Sequence, residues 1–319
     1  MKSYLQFTLE GRDWWKPFLP YWIIVAAIQV FTQMLSRSPL AVEHAGLYAL
    51  FTLLLALATA FAGWIFTIVI LRIVARKVSY GGDTFEFNGK VGEFIGLNVG
   101  GILLTIITAT IFAPWYIRRV MAYLASHTTW RGGPLDFKGK GGRLLLFFLV
   151  GVWAPVIVVM VIAAVTVGLD VLSGTATEPS AVTALLYTFI GLYTLTMFSY
   201  LLYKWYVNMD WKDVHVRWDT HFWPSFGMIL GQVLLSAITI TIYWPAAYKR
   251  LYTYFAGKTV FERNNAPFAH AGFDGQKGFG LLWGQALLSI ITLGIYIPWA
   301  TSRIGKWLIN ATYVETTGN

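Results

Sequence analysis

The sequence predicts an α-helical polytopic membrane protein with internal repeats, and three observations carry that reading. Of 319 residues, 57% are hydrophobic and only 12% are charged, about half of the roughly 25% usual in a soluble domain. Seven apolar runs approach or exceed the length needed to span about 30 Å of hydrocarbon. Three of the seven are copies of one another. No stretch is polar enough to form a separate soluble domain. The chain has no cysteine, which excludes disulfides, thiolate-held metals, iron–sulfur clusters and thiol nucleophiles together.

The first apolar run, residues 18–35, follows Lys2, Glu10, Arg12, Asp13 and Lys16 and has no small-residue cleavage site. It is expected to stay as a helix rather than leave as a signal peptide. Runs 46–71, 144–169 and 182–203 complete four crossing helices. The remaining runs, 93–113, 222–244 and 278–297, align without a gap when Pro114, Pro245 and Pro298 are set in register. Their shared pattern is G-x3-G-x2-L-L-x2-I-T-x2-I-[FY]-x-P, and Arg119, Arg250 or Arg303 follows five residues after the proline. Chance does not place such a pattern three times in one chain. Gly96, Gly100 and Thr108 recur at spacing of four, as do Gly227, Gly231, Thr239 and Gly280, Gly284, Thr292, so each set shares one helical face. Two glycines four apart suit close helix packing in lipid. Each proline lacks an N–H and crowds the preceding turn, so the helix is expected to kink or end near the Thr-x-x-Ile-aromatic segment.

Charge decides between two topologies. If all seven runs cross, twelve of the 24 basic residues fall on each side. If the three repeated segments re-enter as hairpins, 23 lie on one side and only Arg37 on the other. The positive-inside rule prefers the second arrangement, with a cytoplasmic N-terminus; a kinked helix that truly crosses is the alternative. The outer loops are then residues 36–45 and 170–181, which carry Glu43, Asp170 and Glu178. The same reading divides the chain into halves 1–126 and 127–257, each a crossing pair followed by a repeat, and a partial third unit, 258–319.

Five stretches alternate with period two, which marks strands with one buried face. They are Leu5, Phe7, Leu9; Phe85, Phe87; Leu135, Phe137; Val214, Val216, Trp218; and Phe268, His270. All lie on the basic, cytoplasmic side and are expected to pair into a small sheet or to lie along the membrane surface.

The polar inventory is thin. His44, His127, His215, His221 and His270 could meet carboxylates, yet Asp213, His215, Asp219 and His221 read best as the wet face of one strand. No catalytic or nucleotide-binding motif occurs, so no enzyme activity, cofactor or metal is expected. Within the apolar runs Glu93 alone is ionisable, at the start of the first repeat, which argues against proton coupling. Asn98, Gln232 and Gln285 could line a polar path with the motif threonines, or bond between helices. After each proline an amphipathic pattern pairs Arg119 with Tyr123, Arg250 with Tyr254 and Arg303 with Trp307, four residues on. This suits interfacial anchoring or the binding of anionic lipid headgroups. The partners expected are the bilayer, anionic lipids and further copies of the chain in a homo-oligomer. The excess of nine positive charges flanks apolar runs and does not suggest nucleic acid.

The segment TLGIYIPWATSRIGKW at 292–307, its relatives TATIFAPWYIRRVMAY and TITIYWPAAYKRLYTY, and FEFNGKVGEFIG at 85–96 resemble the YjgN-like family of bacterial inner-membrane proteins, a domain-of-unknown-function family. The copies depart at Pro245-Ala246, where Trp is absent, and at Thr110 and Thr241, where the third copy has Gly294. The resemblance implies a bacterial inner-membrane location and supplies no catalytic residue. Two functions are expected to compete: a non-enzymatic channel or transporter for a small solute, and an envelope scaffold or lipid-interacting protein.

Overall fold

The computed structural model describes residues 1–173 and 181–316, so the part of the second outer loop that carries Glu178 lies outside the described residues. The chain alternates tight β-hairpins with helical excursions. Strands β1 (Lys2–Phe7), β2 (Val78–Tyr80), β3 (Asp83–Phe87), β4 (Thr128–Trp130), β5 (Gly133–Phe137), β6 (Met209–Trp211), β7 (Val214–Trp218), β8 (Thr259–Arg263), β9 (Ala266–Phe273) and β10 (Thr312–Thr316) close into one antiparallel barrel. Each strand pairs with its neighbours in sequence, and β1 closes the ring on β10 through Lys2 opposite Glu315 and Tyr4 opposite Tyr313.

This barrel corrects the α-helical class expected from composition. The five alternating stretches are its odd-numbered strands, give or take a residue. The even-numbered strands follow directly on helices, and three of them are only three residues long, too short to show a period. Two-residue turns join the pairs, with positive φ at Gly81 and Gly82 and at Asn264 and Asn265, the conformation that fits the twist of paired strands.

Because the tight turns all lie at one end of the barrel, every helical segment leaves from and returns to the other end. A main-chain hydrogen bond clasps each exit: Thr8 N–H to Lys77 O (2.9 Å), Asn88 to His127 (2.9 Å), Lys138 to Asn208 (3.0 Å), Asp219 to Lys258 (2.8 Å) and Asp274 to Ala311 (3.1 Å). Two excursions are long pairs. The first comprises α1 (Gly11–Ser36), α2 (Leu40–Glu43) and α3 (Ala45–Ala75); the second comprises α6 (Gly141–Phe148), a π-helical turn (Leu149–Trp153), α7 (Ala154–Ser173) and α8 (Ala181–Tyr206). Four helices in these pairs are long and apolar enough to cross a membrane. The other three excursions are shorter hairpins: α4 (Val91–Ile107) with α5 (Ala113–Ser126), α9 (Phe222–Ile238) with α10 (Trp244–Gly257), and α11 (Gly278–Ile291) with α12 (Ile297–Asn310). Neighbouring excursions pack side by side in barrel order, and α12 meets α1.

One face of the sheet is apolar and packs on the helices. Phe7, Phe87, Phe137, Trp218 and Phe273, the last residues of the odd strands, are all buried. The other face carries ion pairs, including Arg217 with Glu262 on the next strand (2.7 Å) and with Asp219 just past its own strand (2.9 Å). Hydrogen bonds from the Arg217 guanidinium hold the carboxyls of Glu262 and Asp219 below their usual values.

The first helix of each hairpin ends at the Thr-x-x-Ile-aromatic segment, as expected, but proline is not what breaks it. Helices α4, α9 and α11 end at Ile107, Ile238 and Ile291, seven residues before each proline. Pro114, Pro245 and Pro298 instead sit in the first turn of α5, α10 and α12, where a missing N–H costs nothing. The break comes from consecutive left-handed residues: Ala109 and Thr110, Ile240 and Thr241, Leu293 and Gly294. There the N–H of Thr110, Thr241 or Gly294 bonds five residues back at 2.7 Å, the wrap that closes a helix C-terminus. The motif threonine then staples the turn: Oγ1 of Thr108, Thr239 and Thr292 accepts the N–H of Phe112 (3.0 Å), Tyr243 (3.1 Å) and Tyr296 (3.1 Å). A β-branched residue is strained at positive φ, and Thr241 sits at φ 66° where the third hairpin has glycine. Thr241→Gly is expected to stabilise the protein by about 1 kcal/mol, read as a higher melting temperature in detergent; an unchanged or lower value would count against a strained turn.

Candidate functional site

The three hairpins expose apolar tips and bury their amide side chains. Ile107 is 78% exposed, Ile238 76% and Leu293 79%. Asn98, Gln232 and Gln285 are buried and each accepts a hydrogen bond from a tyrosine of its own hairpin: Tyr116 (2.6 Å), Tyr243 (3.1 Å) and Tyr296 (3.1 Å). The amides are thus tied within hairpins, not between them.

In the first hairpin Gly101 stands where the others have Gln, and a Cβ there would overlap the Tyr116 ring. Tyr116 lies four residues later than the motif aromatic and Asn98 three residues earlier than the motif amide. The same bond forms one helical turn nearer the barrel. Gln285→Leu is expected to cost about 1–3 kcal/mol by removing the partner of the half-buried Tyr296 hydroxyl, and Gln285→Leu with Tyr296→Phe is expected to recover most of it. Thermal unfolding of the two variants in detergent checks this; equal losses would refute the pairing.

The glycine face does not pack as expected. Among the described residues a Cβ added at Gly96, Gly100, Gly227, Gly231, Gly280 or Gly284 would meet nothing within 4 Å. The packed side of each first helix is the neighbouring one, through Phe94 and Asn98, Ser225 and Gln232, or Leu282 and Gln285.

The arginines also find other partners. Arg119, Arg250 and Arg303 lie over the rings of Phe112 (5.2 Å), Tyr243 (5.7 Å) and Tyr296 (5.8 Å), seven residues back rather than four residues on. Side chains on a helix lean toward its N-terminus, which carries each guanidinium toward the turn. Tyr123, Tyr254 and Trp307 instead fasten the second helix to the start of the first. The Tyr123 hydroxyl donates to Lys90 O (2.9 Å) and accepts from Lys90 N–H (2.7 Å), Tyr254 bonds Ser225 (2.7 Å), and Trp307 Nε1 donates to Gln276 O (2.8 Å).

Cations collect in grooves between helices, two between neighbouring excursions and one within the second long pair. A cavity of about 590 Å³ between α9–α10 and α11–α12 is lined by Lys249, Arg250, Tyr254 and Lys277 among others. A second of about 210 Å³, between α12 and the start of α1, has Arg12, Arg303 and Lys306, with Glu10 paired to Arg12 at 2.7 Å. A third of about 360 Å³ holds Lys138, Lys140, Arg143 and Lys204, where Lys138 bonds Asp136 and Asp210. Among the described residues no three His, Asp or Glu side chains stand close enough to hold a metal. His215 is tied to Asp210 at 2.5 Å, and His127 faces Glu93 at 3.7 Å.

The sequence matches the family described as a bacterial protein of unknown function, DUF898, over residues 82–284. The chain belongs to the DUF898 family. Over 78 residues it is 30% identical to the inner membrane protein YjgN of Salmonella typhimurium strain LT2, a stretch covering 24% of this chain and 20% of that protein. The chain therefore spans about a fifth of the length of the curated relative it matches. No solved structure matches it. With four apolar helices and this relative, the DUF898 chain is an inner-membrane protein.

The family match begins at the β2–β3 turn and ends at the second motif glycine of α11, so it includes the first two hairpins whole. What motif reading missed in this DUF898 chain was the tyrosine–amide pairing and the grooves. The pairing is hidden because both partners move in the first hairpin; the grooves join residues far apart in sequence.

Proposed function

We propose that this chain is a non-enzymatic, lipid-interacting scaffold of the bacterial inner membrane, with its barrel on the cytoplasmic side. The observation that carries this reading is the separation along each hairpin of apolar tips from cations lying nearer the barrel. Exposed isoleucines at a tip are stable in hydrocarbon, and a groove of lysine and arginine is stable among headgroups.

Barrel closure supports the topology. An excursion that starts and ends at one rim must pass the membrane an even number of times. The two long pairs cross and return, and the three hairpins enter and withdraw on the barrel side. Their first helices, 17 residues in α4 and α9, reach about 25 Å, short of a crossing. This gives a multi-pass protein with a cytoplasmic N-terminus and collects 23 of 24 basic residues on the barrel side. The likeness of the hairpins in sequence and turn geometry supports an origin by internal repetition, with halves 1–126 and 127–257 and a third unit, 258–319. Transport is the less favoured reading, because the amides that could line a path are engaged by tyrosines.

The cysteine-free chain allows a clean test. Single cysteines at His127 and Lys204 are expected to react with an impermeant maleimide in inverted vesicles only, and one at Glu43 in spheroplasts only. Purified protein is expected to carry anionic lipid above its share of the membrane and to move no solute in proteoliposomes. Labelling of His127→Cys from outside would overturn the topology, and solute flux with bound lipid of bulk composition would overturn the scaffold reading.

A further inference from the structure

We propose that the groove between the α9–α10 and α11–α12 hairpins is a site for a single phosphate-headed anionic lipid. The inference rests on the lipid-interacting reading above and goes further by assigning one place and one ligand class.

Three cations line this groove, Lys249 and Arg250 from α10 and Lys277 from the start of α11. Among the described residues none of the three has a carboxylate partner, and Arg250 has only the face of Tyr243. The other two grooves are partly neutralised, Arg12 by Glu10 in one and Lys138 by Asp136 and Asp210 in the other, although Arg303 and Lys306 in the first and Lys140, Arg143 and Lys204 in the second also lack a carboxylate partner among the described residues. Three unpaired cations around one cavity repel one another, and an anion relieves that repulsion.

The chemistry narrows to a phosphate ester. Guanidinium and ammonium groups together suit a tetrahedral oxyanion, and α11 begins at this groove, which adds the partial positive charge of a helix N-terminus. The volume of about 590 Å³ lies within the range that holds a small organic ligand. Met228, Pro245, Ala246 and Phe279 also line the cavity, an apolar wall suited to the first methylenes of acyl chains. Free phosphate would use the cations alone; a lipid would use both.

The test is native mass spectrometry of the full chain in detergent, titrated with short-chain phosphatidylglycerol, with phosphatidylcholine of equal chain length, and with inorganic phosphate as competitor. The wild type is expected to hold one phosphatidylglycerol more tightly than phosphatidylcholine. Lys249→Gln, Arg250→Gln and Lys277→Gln combined are expected to weaken that site by about tenfold or more, given the usual attraction of each cation to an anionic surface. The charge-keeping pair Lys249→Arg and Lys277→Arg is expected to retain it, which separates lost charge from lost fold. Arg12→Gln with Lys306→Gln, in the neighbouring groove, is expected to leave it within about threefold.

If the triple variant keeps its affinity within about twofold while the wild type still prefers the anionic lipid, the groove assignment is overturned and the scaffold reading stands. If the wild type shows no such preference, both fall. Inorganic phosphate that displaces the lipid at equal concentration would make free phosphate the ligand and overturn the lipid assignment.

Discussion

Trp218→Ala is expected to destabilise the protein by about 3–5 kcal/mol, the largest loss among single substitutions at the barrel rim. Trp218 ends β7 and is 2% exposed. Its ring meets Tyr203 at 4.8 Å on α8 and Phe255 at 4.8 Å on α10, with Tyr200 and Tyr254 beyond. One side chain therefore joins the barrel, a long helix pair and a hairpin. Truncation leaves a cavity that these rings cannot fill together, because they belong to separate excursions. Among the described residues the indole N–H has no hydrogen-bond partner, so Trp218→Phe removes an unsatisfied donor along with part of the ring and is expected to cost less than half as much. Thermal unfolding in detergent, followed by size-exclusion fluorescence, compares the two. Equal losses would mean that packing at the rim is not what Trp218 supplies.

Ile238→Asp is expected to cost about 2.5–3.5 kcal/mol in a bilayer, the price of a carboxylate at hydrocarbon depth. The same change at a water-exposed position would stay within about 0.5 kcal/mol. Ile238 is the last residue of α9 and is 76% exposed, so contacts within the protein cannot account for a large effect. The measurement is stability in lipid nanodiscs, or steady-state abundance in membranes, with Ile238→Ser as a milder companion. A loss below about 0.5 kcal/mol in nanodiscs would place the hairpin tip in water and remove the re-entrant arrangement.

The membrane helices and the three hairpins were legible because hydrophobic length and an exact motif are local signals. The charge count also pointed to hairpins that turn back, the arrangement that barrel closure favours through different physics. The barrel itself was half legible. Phe85 and Phe87 alternate visibly, whereas Val78–Tyr80 has three residues and follows a helix without punctuation. The Gly81-Gly82 and Asn264-Asn265 pairs were the available cue that another strand preceded each turn. The helix breaks lie at the expected Thr-x-x-Ile-aromatic segment, but proline was the wrong cause, since its exclusion from helix interiors does not apply to a first turn. The aromatic partners of the arginines were misread because spacing of four was weighed without the direction in which a helical side chain leans. The groove at Lys249 and Lys277 could not be read at all, since nothing local links those residues.

The five clasped exits carry a consequence for how such a molecule can change over time. Each clasp joins the end of one strand to the start of the next through the main chain, so it makes no demand on what lies between. A hairpin of about 40 residues and a pair of about 70 occupy equivalent sockets. Excursions can therefore be lengthened, shortened or exchanged while strand register stays the same. The ring acts as a fixed chassis, and diversification is confined to modules that plug into it.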